Sequence, residues 1–221
     1  MKNDQWLGHA VWPLRAVTAM CLALGGWGVL YVMNGQDAKH GLDAHAQDAA
    51  CPDSAAAIHR VEPLIKGEVA AMILSRAPSP MPDISFEAPG GAVKKLGDFR
   101  GRTILLNLWA TWCIPCREEM PALDQLQRKI GSDEFEVVAV SIDTVRLEKR
   151  QSFLASAGVS SLAFYADPKA SIFQVLKAVN KIEGLPTSWL IGKDGCEIGS
   201  LQAKADWAAP EALALIQAAL R

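Results

Sequence analysis

Histidine is scarce in this 221-residue chain, and its four copies all lie within the first 59 positions. Cysteine is also rare, with five copies, of which only Cys113 and Cys116 have the Cys-X-X-Cys spacing. A structural zinc site needs four cysteine or histidine ligands at suitable spacing, and neither a second such pair nor a later histidine is present. His40 and His45 lie in a polar stretch typical of solvated histidines. We therefore predict no metal site and no cofactor.

An excess of charge of either sign is also lacking. The 22 basic and 24 acidic residues give a net charge of −2 at pH 7, and the basic residues are scattered. Nucleic-acid-binding domains usually carry a strongly basic patch, so we expect no nucleic-acid partner. The chain has no internal repeat, and half of its residues are hydrophobic. This composition predicts one domain with extensions, and we expect a monomer.

One long uncharged run is present near the N-terminus, over residues 16–36. As a helix, these 21 residues would span about 30 Å, the thickness of a bilayer core. Lys2 and Arg15 precede the run, and basic residues tend to stay on the cytoplasmic side. Trp27 and Tyr31, towards its other end, suit an aromatic interface belt. The run predicts an uncleaved transmembrane anchor.

The predicted anchor places the segments before and after it in different compartments. We predict a single-pass protein of the bacterial inner membrane, with residues 1–15 in the cytoplasm, a flexible linker over 37–50, and a periplasmic domain over 51–221. A cleaved signal peptide is the alternative. Its apolar core usually spans 7–15 residues and is followed closely by a small-x-small site, whereas Ala44-His45-Ala46 lies about ten residues beyond this run.

Cys113 and Cys116 lie at a predicted strand-to-helix junction. The apolar run 103–108 before them predicts a buried strand, and apolar residues follow at helical spacing, namely Met120, Leu123, Leu126 and Ile130. A helix N-terminus carries about half a positive charge and unpaired N–H groups, so it favours an anion. In that setting the pKa of a Cys-X-X-Cys thiol falls from about 8.5 to between about 3.5 and 7.5. We predict Cys113 as the nucleophilic thiolate and Cys116 as the resolving thiol.

The motif favours dithiol–disulfide exchange over one-cysteine chemistry. A peroxidase with one attacking cysteine would need Thr or Ser three residues before it, where this chain has Ala110. In the exchange reaction, the Cys113 thiolate attacks a substrate disulfide and Cys116 then releases the reduced substrate. The residues expected to shape this site are Trp112, Ile114 and Pro115.

Leu185 and Pro186 form a second predicted part of the site. They directly precede a predicted strand over 187–191, a place where proline is unusual unless it has a role. We predict a cis Leu185–Pro186 bond that lies against the cysteine pair and leaves the preceding backbone free to pair with a substrate peptide. An ordinary trans turn proline is the alternative.

Elsewhere the pattern alternates between helical and extended segments. The predicted elements are a helix over 52–76 bent at Pro63, a hairpin joining 84–86 to 93–96, a strand over 135–142, a helix within 145–157, a strand over 162–165, a helix near 172–179, a hairpin that turns at Lys193–Gly195, and a last helix from near Asp206. Such alternation around a short sheet predicts an α/β sandwich.

These motifs resemble those of the thioredoxin superfamily. The resemblance is carried by Trp112–Cys116, by Asn107–Ala110 and by Leu185–Thr187, while the segment between Asp143 and Gly184 is longer than in thioredoxin. With the anchor and the Cys51/Cys196 pair, the chain resembles the TlpA-like membrane-anchored thiol-disulfide interchange proteins of bacteria. The resemblance covers about residues 51–221.

The resemblance implies a thioredoxin-like α/β/α sandwich with an N-terminal extension, a central helix–strand insertion and an N-terminal transmembrane helix. It also implies a reductant that receives electrons from a membrane thiol donor and reduces cysteine pairs of proteins that assemble cytochrome oxidase copper centres. It further implies a structural disulfide between Cys51 and Cys196. Two inert thiols or an intermolecular bond are the alternatives to that disulfide.

Two other functions stay open. The related, CcmG-like reductant of apocytochrome c shares the anchor and the motif, but usually lacks the Cys51/Cys196 pair. A copper-binding module would use the cysteine pair with a histidine, which residues 60–221 do not contain.

The proton acceptor for Cys116 also stays open. The buried acid of thioredoxin's central strand falls at Asn107 here, and its neighbouring lysine falls at Ala139. Glu183, beside the proline, is a candidate acceptor, with a solvated surface glutamate as the alternative.

Overall fold

The computed structural model describes residues 51–146 and 148–221 of the chain. The predicted cytoplasmic segment, anchor and linker, over 1–15, 16–36 and 37–50, lie outside the described residues. Within the described part, no helix is both long enough and apolar enough to cross a membrane.

The described residues form a mixed sheet and five α-helices. The strands are β1 (Ile73–Leu74), β2 (Ser85–Glu87), β3 (Val93–Lys95), β4 (Thr103–Trp109), β5 (Phe135–Ser141), β6 (Tyr165–Ala166), β7 (Thr187–Ile191) and β8 (Glu197–Leu201). The helices are α1 (Pro52–Val61), α2 (Ile114–Ile130), α3 (Glu148–Ser156), α4 (Ser171–Ala178) and α5 (Pro210–Leu220). Short 3₁₀ turns cover Glu62–Leu64, Gly67–Val69 and Leu96–Phe99. The strand order is β1-β8-β7-β4-β5-β6-β2-β3.

β4 lies at the centre of the core. It pairs in parallel with β5 and antiparallel with β7, and all seven of its residues are buried. A strand covered on both faces and both edges has a continuous apolar sequence, as in Ile104–Leu106. Leu105 and Leu106 lie opposite Val137 and Val138 of β5. Burying each leucine side chain contributes about 1.5–3 kcal/mol, so the register of β4 is strongly determined.

Most of the predicted elements are present. The predicted hairpin is the antiparallel pair β2–β3, and the insertion between Asp143 and Gly184 contains α3, β6 and α4. The strand predicted over 162–165 is wrong in position, because only Tyr165 and Ala166 reach β5 in register.

The last helix begins at Pro210 rather than near Asp206. Asp206 instead forms a turn, in which its side chain accepts the Ala208 N–H at 3.0 Å and its carbonyl accepts the Ala209 N–H at 3.1 Å. Pro210 then occupies the first helical turn, where its missing N–H costs nothing.

The helix predicted over 52–76 is wrong beyond Val61. α1 ends there because Pro63 has no N–H to donate to the His59 carbonyl, and its ring crowds that carbonyl. Gly67 then adopts a φ of +57°, a left-handed conformation that a continuing helix does not contain.

The end of the predicted helix is the short edge strand β1. Ile73 and Leu74 pair with Ser200 and Gly199 of β8. Gly199 permits this approach, because a Cβ atom there would lie 2.8 Å from the Ile73 carbonyl oxygen. The pairing depends on residues distant in sequence, so helical periodicity alone did not indicate it.

A disulfide and a carboxylate fasten the N-terminal extension to the sheet. Cys51 and Cys196 are bonded and fully buried, which is the pairing that the resemblance implies. Asp194 accepts the Ser54 N–H at 2.9 Å and the Ser54 hydroxyl at 2.6 Å. This anion lies at the N-terminus of α1, where negative charge is favoured, and α1 packs against α5 and β8.

Removing this disulfide tests its contribution to stability. We expect Cys51→Ala/Cys196→Ala to lower the free energy of unfolding by about 2–5 kcal/mol, because the bond closes a loop in the unfolded chain. The two cysteines are 145 positions apart, for which the chain-entropy relation gives about 5 kcal/mol before any native strain. Urea unfolding followed by tryptophan fluorescence measures the loss.

The matched control is Cys113→Ala/Cys116→Ala. This bond spans only three positions, for which the same relation gives about 2 kcal/mol. Equal losses in the two double variants would contradict the loop-length account.

Candidate active site

Cys113 and Cys116 lie where β4 leads into α2. β4 ends at Trp109 and α2 begins at Ile114, so Cys113 is the N-cap residue. The two sulfurs form a disulfide, with the Cα atoms 5.3 Å apart. The Cys116 N–H donates to the Cys113 Sγ at 3.3 Å, so a free N–H of the helix terminus faces this sulfur. No acidic residue in the first turn of α2 competes for that position.

The two sulfurs differ in access. Cys113 is 6% exposed, whereas Cys116 is fully buried. An external disulfide must reach the attacking sulfur, so Cys113 is the cysteine that can meet a substrate. This is the order of exposure expected of a nucleophile and a resolving thiol, the roles predicted for the pair.

Exposed apolar side chains border the cysteine pair. Trp112 is 65% exposed and Ile114 is 66% exposed, and Pro115 is exposed as well. Trp112 therefore presents most of its side chain to solvent. Apolar side chains grouped at the surface beside a reactive sulfur are typical of a docking surface for a protein partner.

The Leu185–Pro186 bond is cis, as predicted. β7 starts at the next residue, Thr187, which lies opposite Leu108 of β4. Pro186 therefore lies at the end of β7 that adjoins the end of β4, where the cysteine motif begins. The Thr187 hydroxyl donates to the Gly184 carbonyl at 2.7 Å and closes this turn.

Asp143 anchors the loop that carries Trp112. It lies just after β5, is buried, and accepts the Thr111 N–H at 3.1 Å and the Thr111 hydroxyl at 2.8 Å. The Ser141 hydroxyl also donates to it, at 2.8 Å. β4 and β5 are parallel, so the loops that follow them meet at one edge of the sheet. Sequence analysis assigned no role to Asp143.

A buried carboxyl lies one helical turn beyond Cys116. Glu119 is 1% exposed, and its two oxygens accept hydrogen bonds from the Asn107 side-chain amide at 2.7 Å and the Ala205 N–H at 3.3 Å. The Asn107 amide also donates to the Ser188 hydroxyl at 3.0 Å. Residues three apart share one face of a helix, with Cβ atoms roughly 5–6 Å apart. Glu119 and Cys116 are therefore neighbours.

Burial raises the pKa of Glu119 from 4.5 to about 7, because a low dielectric penalises the charged form. The hydrogen bonds from Asn107 and Ala205 partly offset this effect by stabilising the carboxylate. A carboxyl with this pKa can take up and release a proton near neutral pH. Cys116 must lose its proton before it attacks, and Glu119, on the same face of α2, is a candidate acceptor.

Glu183 is the acceptor candidate that the sequence analysis named. It is exposed, as the alternative prediction stated. The sequence did contain a signal for Glu119, since Cys116, Met120 and Leu123 mark the buried stripe of α2 and Glu119 falls inside that stripe. A charged residue within an apolar stripe is a candidate functional group, and the sequence analysis missed it.

Cys51 and Cys196 lie away from these groups. Cys196 precedes β8 beside Ile191, which is the end of β7 opposite to Pro186. Among residues 51–146 and 148–221, no three histidine, cysteine or acidic side chains come together as a metal site. The arrangement at the other end, a Cys-X-X-Cys disulfide with a buried carboxyl on the same helix face, suits thiol exchange.

Comparison with known proteins assigns the family. The Redoxin family model matches residues 76–215. The chain belongs to the Redoxin family. This match supports membership of the thioredoxin superfamily, which the sequence motifs resemble.

Curated relatives carry names of the same kind. The chain is 32% identical to the thioredoxin-like protein YneN of Bacillus subtilis over 120 residues, and this match covers 52% of the chain. It is 33% identical to the thiol-disulfide oxidoreductase ResA of Geobacillus kaustophilus over 117 residues, and this match covers 53% of the chain. The match spans only 64% of the length of each relative.

Solved structures agree with the fold. A protein of Chlorobium tepidum assigned to the DsbE thiol:disulfide interchange proteins is 31% identical, with a TM-score of 0.53, and the match covers 67% of this chain and 100% of that one. A protein of Bacteroides vulgatus assigned as a thiol-disulfide oxidoreductase is 30% identical, with a TM-score of 0.53, and the match covers 63% of this chain and 94% of that one. The thioredoxin-like α/β fold is therefore confirmed.

The pKa of Glu119 predicts how stability depends on pH. Between pH 4.5 and 7, Glu119 ionises in the unfolded chain while the folded carboxyl stays protonated, so its contribution lowers the free energy of unfolding as pH rises. This contribution reaches at most about 3 kcal/mol and is constant above pH 8. Glu119→Gln lacks it, so we expect the variant to gain up to about 3 kcal/mol relative to wild type between pH 4.5 and 8. Urea unfolding at a series of pH values measures this difference.

Glu118→Gln is the matched control for this series. Glu118 adjoins Glu119 but is exposed, and its carboxylate pairs with Lys204 at 2.5 Å. We expect its pH dependence to follow that of the wild type. If the pH dependence of Glu119→Gln also ran parallel to wild type, a pKa near 7 for Glu119 would be ruled out.

Proposed function

We propose that this protein is a thiol:disulfide oxidoreductase that reduces protein disulfides by dithiol exchange. One observation carries the proposal: a cysteine pair lies at the N-terminus of α2, with Cys113 6% exposed, Cys116 fully buried, and the buried carboxyl of Glu119 one helical turn beyond Cys116. The names of the relatives are consistent with this activity.

The reaction transfers two electrons from the protein to the substrate. The Cys113 thiolate attacks one sulfur of the substrate disulfide, whose S–S bond breaks, and the other substrate sulfur leaves as a thiolate and takes up a proton. Cys116 gives its proton to Glu119 and attacks the Cys113 sulfur of the mixed disulfide. The substrate sulfur that was bonded to Cys113 then leaves as a thiolate and takes up a proton, and the protein retains the Cys113–Cys116 disulfide.

The proposed direction is reduction of the substrate. Proline directly before the second cysteine, Pro115 here, resembles the reducing members of the thioredoxin superfamily. The Glu119 carboxyl adds a physical reason, because its negative charge above pH 7 disfavours a second charge on the buried Cys116 sulfur. A destabilised thiolate favours the disulfide form of the protein, and so favours electron donation.

We also propose a periplasmic setting on a single-pass inner-membrane anchor over residues 16–36, with a membrane thiol donor. The uncharged run and the basic residues before it support the anchor. The Cys51–Cys196 bond suits an oxidising compartment.

The Cys51–Cys196 bond also helps to choose between two candidate substrate classes. It favours a TlpA-like role in the assembly of cytochrome oxidase copper centres, since apocytochrome c reductants usually lack this pair. Reduction of apocytochrome c is the second candidate function.

A trapping experiment tests the exchange mechanism. Cys116→Ser lacks the thiol that resolves the mixed disulfide, so we expect it to accumulate covalent adducts with substrate proteins, seen on non-reducing gels and identified by mass spectrometry. Cys113→Ser is the control and should form none of these adducts. The wild-type protein should also reduce insulin disulfides. Absence of both trapped adducts and insulin reduction would refute the mechanism.

Protease accessibility tests the proposed setting. In spheroplasts of cells that express the full chain, we expect added protease to degrade residues 51–221, whereas intact cells should protect them. Washing membranes with carbonate should leave the protein in the pellet. If the domain were protected in spheroplasts and recovered in the cytosol, the proposed periplasmic setting would be refuted.

A further inference from the structure

An open groove of about 630 Å³ lies beside the cysteine motif. Residues from the loop before α2, the first turns of α2, the loop after β5 and α3 line it. Its apolar lining comes from Trp112, Val145 and Phe153, and its cationic lining comes from Arg117, Arg146 and Lys149. The exchange reaction described above uses none of the three cations.

The cations of the groove are available to a ligand. Arg117, Arg146 and Lys149 are exposed, and none of them pairs with an acidic group in the described part of the chain. Among the described residues, Asp143 is the one carboxylate that lines the groove, and its oxygens already accept hydrogen bonds from Thr111 and Ser141. The lining is therefore locally positive, although the whole chain carries a net charge of −2.

The apolar part of the groove consists of two exposed side chains and of Phe153, which packs against other residues. Trp112 and Val145 are 65% and 66% exposed. Phe153 supports Arg117, whose guanidinium carbon lies 5.1 Å from the centre of the phenyl ring. The same ring lies 5.7 Å from that of Trp109, the last residue of β4. One wall of the groove is thus connected to the centre of the sheet.

We propose that this groove binds an acidic segment of the disulfide-bearing protein substrate, with an apolar side chain of that segment against Trp112 and Val145. The proposal rests on the proposed function and names the substrate class of that same site. Trp112 directly precedes Cys113, so a peptide bonded to the Cys113 sulfur has one flank next to the groove. Unpaired cations favour carboxylates on that flank, and exposed aromatic and arginine side chains are typical of protein interfaces.

A pair of disulfide-bonded peptides tests the preference. They have the same sequence around the cysteines and the same apolar residue, but one carries aspartates and the other lysines on the flanks. We expect the reduced full-length protein to show a kcat/KM about tenfold higher for the acidic peptide at low ionic strength. The ratio should approach one in high salt, because the screening length falls from about 10 Å at 0.1 M to about 3 Å at 1 M.

Charge reversal locates the preference. We expect Arg146→Glu/Lys149→Glu to lower the acidic-to-basic ratio of kcat/KM by at least about tenfold. Because the ratio is taken within one variant, a general change in cysteine reactivity cancels. Arg117 is left intact, since it adjoins Cys116. The control is Lys66→Glu/Lys177→Glu, which changes the net charge equally at exposed residues outside the groove, and its ratio should equal that of the wild type.

A binding measurement separates this proposal from the proposed function. The acidic peptide, with serine in place of its cysteines, is titrated against the full-length Cys113→Ser/Cys116→Ser chain and followed by fluorescence anisotropy. Binding that Arg146→Glu/Lys149→Glu abolishes, without any peptide reduction by the wild type, would support the groove and refute the proposed function. Reduction of both peptides at equal rates, or an equal loss of preference in the control, would overturn the groove and leave the proposed function standing.

Discussion

The pairing of β4 on both edges fixes the candidate site. Because β4 lies between β5 and β7 and is buried over its whole length, its end at Trp109 is fixed relative to the sheet, and so is the start of α2. The same register places Thr187 opposite Leu108, which brings the Leu185–Pro186 turn to the edge where the cysteine motif begins. Asp143 enters from the parallel neighbour β5. The groups of the site are therefore placed by backbone pairing in the middle of the core.

The site favours a negative charge on one of its two sulfurs and disfavours it on the other. The terminal N–H groups of α2 favour a charge on Cys113, whereas buried Glu119 disfavours one on Cys116 whenever it is itself ionised. Asn107 suits such a titrating neighbour better than a carboxylate would. Its amide donates to the ionised form of Glu119 at 2.7 Å, and its oxygen has no hydrogen-bond partner among the described residues. Rotation of the amide would offer that oxygen to the protonated form.

Local sequence was enough to predict the elements that carry the chemistry. The apolar run of β4, the helical spacing after Cys116 and the position of Pro186 before a strand each depend on near neighbours, and each prediction holds in the structure. The features that the sequence did not predict depend on contacts with residues distant in the chain. β1 exists because Ile73 and Leu74 meet Ser200 and Gly199, and the raised pKa of Glu119 follows from burial that no neighbour in sequence specifies. The groove joins side chains from α2, α3 and the loop after β5, so no single segment predicts it.

The two disulfides show why a cysteine at a helix N-terminus is not by itself reactive. Cys51 and Cys113 are both N-cap residues. At α1, however, the Asp194 carboxylate already accepts the Ser54 N–H, so the positive end of that helix is occupied by another anion. Both sulfurs of that bond are also fully buried, and exchange requires an attacking thiolate to reach one of them. At α2 the sulfur of Cys113 accepts the helix N–H itself, and Cys113 retains 6% exposure. Occupancy of the helix terminus and access, more than the presence of two cysteines, separate the structural bond from the one proposed to exchange.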